Sequence, residues 1–585
     1  MRTLPPRVAC LILLLSSMVR AQFPPTIDLG KFAEDVRLIY KTEDDYDDFG
    51  ADLAVGDFNA DGVNDILAGA YAYSEREVFR FAIGRAYVIF GPIVSSLIDL
   101  RKTGVHWVRI TGDDPRDNTG SYVGAGDVNG DGITDAIIGG FPLGQVTTPG
   151  KLYIVYGRKN WPKEIDLNTD GGAVAGVTRI NGKQLEDFFG GIAAGGDLNG
   201  DSYDDVLISA SNLGEAYILY GRDSLDAIVD MNTTSHRLTT FHETDEWHIF
   251  SLGLFTDFDG DGYSDVFLGN TIFRQTDHQG PSEGAALIFY GSEEGLPADI
   301  SLDPQSLANT GATFILGDEG RQLGRRFAVG DVNGNGQNDL LTCDIRTNRI
   351  YVLFDLPART PFISMKEYTN KLELYQRGEF GDLAVANVNG DGFDDWITAS
   401  PNKRGVGYIL FGAESLPDFL NLQYPSQLLL STKILAAQES YTLGESIATG
   451  DMNSDGLPDI IISDPHAHTI GGASPGEIYI IYGRTRQSQP PSVEAPQILQ
   501  NYPNPFNATT IIRYSLDRAQ HVRMAIYNSR GQKVRQLVEG GRLAGEYKAI
   551  WDGYDANFQQ VGSGVYFCRI VGETFAHSIK LLYLK

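Results

Sequence analysis

The sequence predicts an all-β protein: a seven-bladed β-propeller with four-stranded blades, followed by a small immunoglobulin-like β-sandwich. Three observations predict it. One nine-residue pattern, D-x-[ND]-x-[DN]-x-x-x-D, recurs seven times, opening at Asp57, Asp127, Asp197, Asp257, Asp331, Asn387 and Asp451. Each copy lies among short β-branched and aromatic runs punctuated by Gly and Asp, and none of these runs holds a helical period. Past residue 484 the composition changes, and a second series of short alternating strands begins. Radial repetition of four-stranded units leaves only short sheet edges, which suits a chain with this much strand.

The chain has 585 residues, 42% hydrophobic and 21% charged, too many for one compact core. Its 47 basic and 76 acidic residues give a formal charge of −29. A nucleic acid duplex or an anionic membrane surface repels that balance, so nucleic acid is not expected as a partner. Three cysteines cannot build a disulfide scaffold. Residues 1–21 read as a signal peptide, with Arg2 and Arg7 ahead of the apolar run Val8–Leu15 and Ala21 before a cleavage point at Gln22. That run is too short to span a bilayer, and no later stretch reaches the roughly 20 apolar residues a transmembrane segment needs. The exported remainder carries a net charge of −32.

The repeat occupies residues 22–484. Seven residues before each loop stands a glycine (Gly50, Gly120, Gly190, Gly324, Gly444), replaced by Phe250 and Phe380 in the fourth and sixth copies. An apolar run follows each loop, such as Ile66-Leu67-Ala68 or Ile460-Ile461-Ile462. Next comes an aromatic strand ending in glycine at Gly91, Gly157, Gly221, Gly291, Gly412 and Gly483; the fifth copy has Asp355 there. An outer strand completes the unit, as at Trp107–Thr111 or Val177–Ile180. The last unit lacks its outer strand and the N-terminal segment has one to spare, Val36–Tyr40. Pairing the two would close a ring and hide both edges.

Positions 1, 3, 5 and 9 of the loops carry side-chain oxygens, and position 7 can add a backbone carbonyl. That is the ligand set of a hard cation such as calcium. The candidate ligands are Asp57, Asn59, Asp61, Val63 and Asp65 in the first loop and Asp127, Asn129, Asp131, Ile133 and Asp135 in the second. In the third and fourth they are Asp197, Asn199, Asp201, Tyr203 and Asp205, then Asp257, Asp259, Asp261, Tyr263 and Asp265. The fifth offers Asp331, Asn333, Asn335, Gln337 and Asp339, and the sixth Asn387, Asn389, Asp391, Phe393 and Asp395. The seventh offers Asp451, Asn453, Asp455, Leu457 and Asp459. Up to seven structural calcium ions are expected, weaker in blades five and six, where Asn335 and Asn387 replace carboxylates. An EF-hand needs an acid at position 12. Ala68, Ile138, Ile208, Leu268, Thr342, Thr398 and Ile462 stand there, and a strand follows. Hairpin turns are also rich in Asp, Asn and Gly, but turn chemistry does not require Asp at position 9 in every copy.

The phenylalanine-glycine pair, the acidic loop and the following turn Ala68-Gly69-Ala70 together resemble the FG-GAP repeat of the integrin alpha-chain propeller, over roughly residues 27–484. The resemblance implies calcium loops on one face and a ligand on the opposite one. Tyr71, Tyr73, Phe79, Arg80, Phe81, Phe273 and Arg274 fall on the connections expected at that opposite face.

Residues 485–498 read as a Pro/Ser/Gln-rich linker. Within 499–585, strands are expected near 510–516, 521–528, 533–538, 546–552, 564–571 and 577–584. The stretches YPNPFN (Tyr502–Asn507), Ile526–Leu537, Gly545–Gly553 and Ser563–Ile570 resemble the type A C-terminal sorting domain of type IX (Por) secretion. That resemblance implies contact with the secretion machinery, passage through an outer membrane, and a secreted or surface location.

No catalytic constellation emerges. His466 and His468 form a zinc-like pair without a third ligand. Gly444-Glu-Ser-Ile-Ala448 matches a nucleophile elbow only in spacing. Cys343 and Cys568 lie in different domains. The expected function is a calcium-stabilised binding or adhesion module that takes an extracellular protein or glycan on the face opposite the loops. The alternative is a secreted hydrolase or lyase acting on polysaccharide.

Overall fold

The structure is a computed structural model. It describes residues 23–484 except 25, 31–35, 41–46, 73–82, 96, 101–106, 115–116, 141–147, 169–171, 192–193, 243–249, 272–282, 308, 319–320, 345, 377–380, 401–404, 423–430, 438–439 and 468–475. It also describes 497–584 except 499–503, 505, 507–509, 517–519, 543–544, 556–558 and 573–574. The signal peptide, most of the linker, Tyr73, Phe79, Arg80, Phe81, Phe273, Arg274 and His468 lie outside the described residues. The chain divides into two compact units, one of Ala21–Thr485 and one containing Arg486–Lys585.

The first unit is all β, with seven sheets of five strands each. In the first sheet, Leu53–Gly56, Asp65–Ala70, Arg85–Ile89 and Trp107–Thr111 run antiparallel in chain order. A fifth strand, Glu164–Asp166, pairs parallel with Trp107–Thr111 and comes from the following repeat, between its third and fourth strands. All seven sheets repeat this order.

Four strands per unit is therefore corrected to five. The extra strands are two or three residues long, too short to show a period, yet each buries one apolar side chain: Ile27, Ile98, Ile165, Val229, Ile300, Ile363 and Leu420. Each covers the open edge of the preceding unit's outer strand. One helical turn, Pro304–Leu307, also departs from the helix-free expectation. The Asp303 carboxylate caps it by accepting from Ser306 N (2.9 Å), and Pro304 sits where a missing N–H costs nothing.

The N-terminal segment completes the last two sheets. Val36–Tyr40 pairs antiparallel with Glu477–Ile481, and Thr26–Asp28 pairs parallel with Ser431–Leu435. No single sheet closes on itself. The first strands of successive sheets neighbour one another in a cycle, Leu53–Gly56 adjoining Thr119–Gly126 on one side and Ile447–Gly450 on the other.

Seven apolar clusters sit between consecutive sheets. One of them joins Ile461, Ile478 and Ile480 of the last sheet to Ile66, Tyr87 and Ile89 of the first. Second strands are buried along their whole length because sheets cover both faces, which is why they read as unbroken apolar runs.

In the C-terminal unit, Gln497–Ile498, Thr510–Leu516 and Gly545–Trp551 form one sheet. Lys533–Arg542, Gln520–Asn528, Gly564–Val571 and Ala576–Tyr583 form another. Phe506 of the YPNPFN stretch packs at 5.4 Å from Trp551 and 5.0 Å from Tyr583 at the core. No helix among the described residues is long and apolar enough to cross a membrane.

Candidate metal centres

Each acidic loop joins the first and second strands of a sheet and is wound around its own side chains. In the first, Asp57 accepts from Asp61 N (3.1 Å) and Gly62 N (2.8 Å), Asn59 from Asp61 N (2.8 Å), and Asp61 from Val63 N (2.9 Å). The second, third, fifth and seventh loops repeat all four bonds. Positions 1, 3 and 5 are thereby turned inward together, as a cation cage requires.

Position 9 does two jobs. Asp65 is fully buried and accepts from Phe58 N (3.0 Å) and from Gly91 N (2.8 Å) at the end of the aromatic strand. Asp135, Asp205, Asp265, Asp395 and Asp459 make the same pair of bonds. This explains the terminal glycine of the aromatic strand. A Cβ at Gly91, Gly157, Gly221, Gly291, Gly412 or Gly483 would come within 2.3–2.6 Å of the position-8 carbonyl oxygen. In the fifth sheet Asp355 adopts a positive φ of 50° instead, and its carboxylate accepts from the Nδ2 of Asn335. A carboxylate thus reaches the fifth loop, where position 5 lacks one.

Burial, reinforced by the neighbouring loop carboxylates, pushes Asp65, Asp135, Asp265, Asp339 and Asp459 up to about 7 and Asp205 and Asp395 up to about 8. Carboxyls this unwilling to ionise at neutral pH call for a compensating positive charge.

Position 8 is the residue that reasoning from the pattern missed. Thr134, Asp204, Ser264 and Asp394 donate their backbone N–H to the position-1 carbonyl of the preceding loop, at 2.8–3.2 Å. Asn338 reaches Asp257 O with its side chain (2.9 Å). The Asp204 and Asp394 carboxylates also accept from Asp127 N (2.7 Å) and Asp331 N (2.9 Å). From the first loop to the sixth, consecutive loops are thus hydrogen-bonded to one another. The sequence signal was available: position 8 is polar in six copies, with Pro458 the exception.

The fourth loop stands apart because position 3 is Asp259. Among the described residues, Asp257, Asp259 and Asp265 bring three carboxylates within 4.8 Å of one another. Asp259 Oδ1 is buried without a hydrogen-bond partner, while Oδ2 meets Arg359 Nη2 at 3.2 Å. The same nitrogen lies 2.9 Å from Asp261 Oδ2, and the guanidinium sits 5.0 Å from the Tyr290 ring. Inward carboxylates, an orphaned acceptor and raised position-9 pKa values together fit a divalent cation. When bound, such an ion would supply positive charge to the side chains of positions 1, 3, 5 and 9.

At the opposite end of the sheets Tyr71 hydrogen-bonds Asp48, whose Oδ1 lies 3.1 Å from His466 Nε2. Lys151 Nζ is held between Asp117 (2.9 Å) and Asp113 (3.2 Å). Ser446 accepts from Leu53 N (3.1 Å) and donates to Asp52 Oδ1 (3.1 Å), tying the last sheet to the first. Burial pushes the Cys343 and Cys568 thiols up to about 11 and 12, which leaves both unreactive.

A family model described as FG-GAP repeat matches residues 49–89, 189–219 and 443–481. A model described as secretion system C-terminal sorting domain matches residues 500–583. The chain carries FG-GAP repeats and a type IX sorting tail. FG-GAP repeats in integrin alpha-like proteins commonly bind divalent cations. The sorting tail indicates engagement of the secretion machinery and delivery to the cell surface or extracellular space.

Integrin alpha-PS2 of Drosophila melanogaster is 29% identical over 272 residues, 42% of this chain and 17% of that protein. A phosphatidylinositol-glycan-specific phospholipase D of Rattus norvegicus is 30% identical over 165 residues, 27% of this chain and 18% of that protein. The chain thus spans less than a fifth of either relative's length. PorZ, described as a surface component of the type-IX secretion system of Porphyromonas gingivalis, is 11% identical. That alignment covers 92% of this chain and 59% of PorZ with a TM-score of 0.36.

Proposed function

We propose that residues 22–484 form a calcium-stabilised seven-bladed propeller, that 499–585 together with the strand Gln497–Ile498, which shortens the expected 485–498 linker, form an immunoglobulin-like sorting domain, and that the propeller is a surface or extracellular module binding protein or glycan. The observation that carries this reading is the cycle of seven five-stranded sheets, each with an acidic loop at one end, consecutive loops from the first to the sixth being hydrogen-bonded to each other. Calcium at positions 1, 3, 5, 7 and 9 would offset the buried carboxylates and hold the hairpin of each blade. The opposite face is left for a ligand. Catalysis is not part of the proposal: Ser446 is held between Leu53 N and Asp52, and Cys343 and Cys568 are buried.

The test is binding to glycan and matrix-protein arrays with calcium and with chelator, alongside an activity screen on polysaccharides. Calcium-dependent binding without turnover supports the module. Depolymerisation of any polysaccharide would sink it in favour of a hydrolase or lyase.

A further inference from the structure

The C-terminal unit differs in charge from the rest of the chain. Residues 497–585 hold eleven basic and six acidic side chains, whereas residues 1–496 carry a net −34. Part of that positive charge is ordered on one face of the four-stranded sheet.

In an antiparallel sheet, residues directly opposite one another project from the same face. Tyr527 pairs with Lys533 on one side and Phe567 on the other, and Phe567 pairs with Lys580. The four side chains make one row, Lys-Tyr-Phe-Lys, spanning about 14 Å at the usual strand spacing of roughly 4.8 Å. The next row is Gln536, Ala525, Arg569 and Ser578. The other face of the sheet is the core, with Met524, Ile526, Cys568 and Ile570 buried. Phe567, by contrast, is 40% exposed, a large apolar surface for an outward sheet position. Arg523 and Arg535 are paired with Glu539 and Asp552, but Lys533, Arg569 and Lys580 have no ion-pair partner among the described residues. A shallow groove of about 320 Å³ lies here, walled by Tyr527, Asn528, Ser529, Phe567, Arg569 and Ser578.

We propose that this face binds an anionic polysaccharide, its sugar rings stacked on Tyr527 and Phe567 and its carboxylate, sulfate or phosphate groups held by Lys533, Arg569 and Lys580. Two adjacent aromatic rings give stacking surface, and the unpaired cations around them select negative charge. An extended peptide would instead seek the main-chain groups of a sheet edge, which the centre of a face does not offer. Single-stranded nucleic acid could use the same chemistry; the chain's delivery outside the cell favours a glycan.

The test uses the full chain, with hyaluronate as the acidic probe and dextran and oligothymidylate as comparisons, by biolayer interferometry. Hyaluronate should bind, dextran should not, and raising salt should weaken binding because the contacts are ionic. Phe567→Ala should weaken it about tenfold, within the range a lost stacking contact gives. Lys580→Gln, which disturbs no packing, should weaken it several-fold, and both variants should keep the parent's melting temperature. Binding should persist in chelator, since no acidic loop takes part. Absence of hyaluronate binding, equal binding by the variants, or tighter binding of oligothymidylate would each overturn the proposal.

Discussion

Glycine at the end of six of the seven aromatic strands is demanded by a neighbour and not by its own backbone angle. At Gly157 a methyl group would sit 2.4 Å from Thr134 O. Gly157→Ala should therefore cost about 1–3 kcal/mol, the usual penalty of overpacking, measured as a lower urea midpoint at unchanged m-value. Arg359 raises a different issue at the same scale. It places positive charge on Asp259 and Asp261 of the one loop that has an extra acid. Because Arg359 is half exposed, its effect is screened, and Arg359→Gln should raise that loop's calcium affinity by only about 1 kcal/mol, several-fold. Calorimetric titration of the variant against the parent checks this; identical isotherms would mean the arginine does not oppose the ion.

At the scale of elements, the fifth strand is the part of the fold with the faintest imprint. Seven copies of an apolar–polar–apolar triplet mark it, Ile98-Asp99-Leu100 and Ile165-Asp166-Leu167 among them, and the flanking apolar residues are buried in every copy. The repeat was there to be read, but three residues carry no periodicity. Their partner lies in the preceding unit, so only pairing reveals a strand. Leu167→Ala should cost about 2–5 kcal/mol, while Glu164→Ala, losing an exposed pair with Arg109, should cost under about 1 kcal/mol; chemical denaturation separates the two. Val36–Tyr40 behaves oppositely. Its place in the last sheet followed from counting strands, and Ile39 packs in the cluster shared by the last and first sheets. Ile39→Asp should lower the unfolding free energy by at least about 3 kcal/mol, because an unpaired carboxylate enters an apolar core. A melting temperature equal to the parent's would remove that strand from any role in holding the ends together.

For the whole molecule, the proposed calcium predicts a linkage between metal, pH and stability. The seven position-9 carboxyls have folded pKa values near 7 or 8 against a usual 3.8. Without a cation the folded chain holds extra protons, so their contribution is fully present below 3.8 and is lost as pH rises through 7 to 8. Calcium needs the ionised form and should reverse the trend. The gain in melting temperature from calcium over chelator should therefore be small at pH 5.5 and several degrees larger at pH 8. A gain independent of pH would deny these carboxyls a part in the site. Hydrogen bonds between adjacent loops further predict that the ions leave together and not one by one, visible as a single chelation transition.

The chain's own pattern determined the all-β class, the number of repeated units and the outward destination, because each rests on chemistry legible along the chain: acidic loops at regular intervals, apolar runs for strands covered on both sides, a tail of recognisable stretches for export. Only the tertiary arrangement decided that Thr134, Asp204 and Asn338 bind loop to loop, that Asp355 serves the fifth loop and Arg359 the fourth, and that Tyr527, Phe567, Lys533 and Lys580 share one row. Those contacts join residues that are distant along the chain, across a strand pair or a boundary between units, and local spacing holds no record of such neighbours.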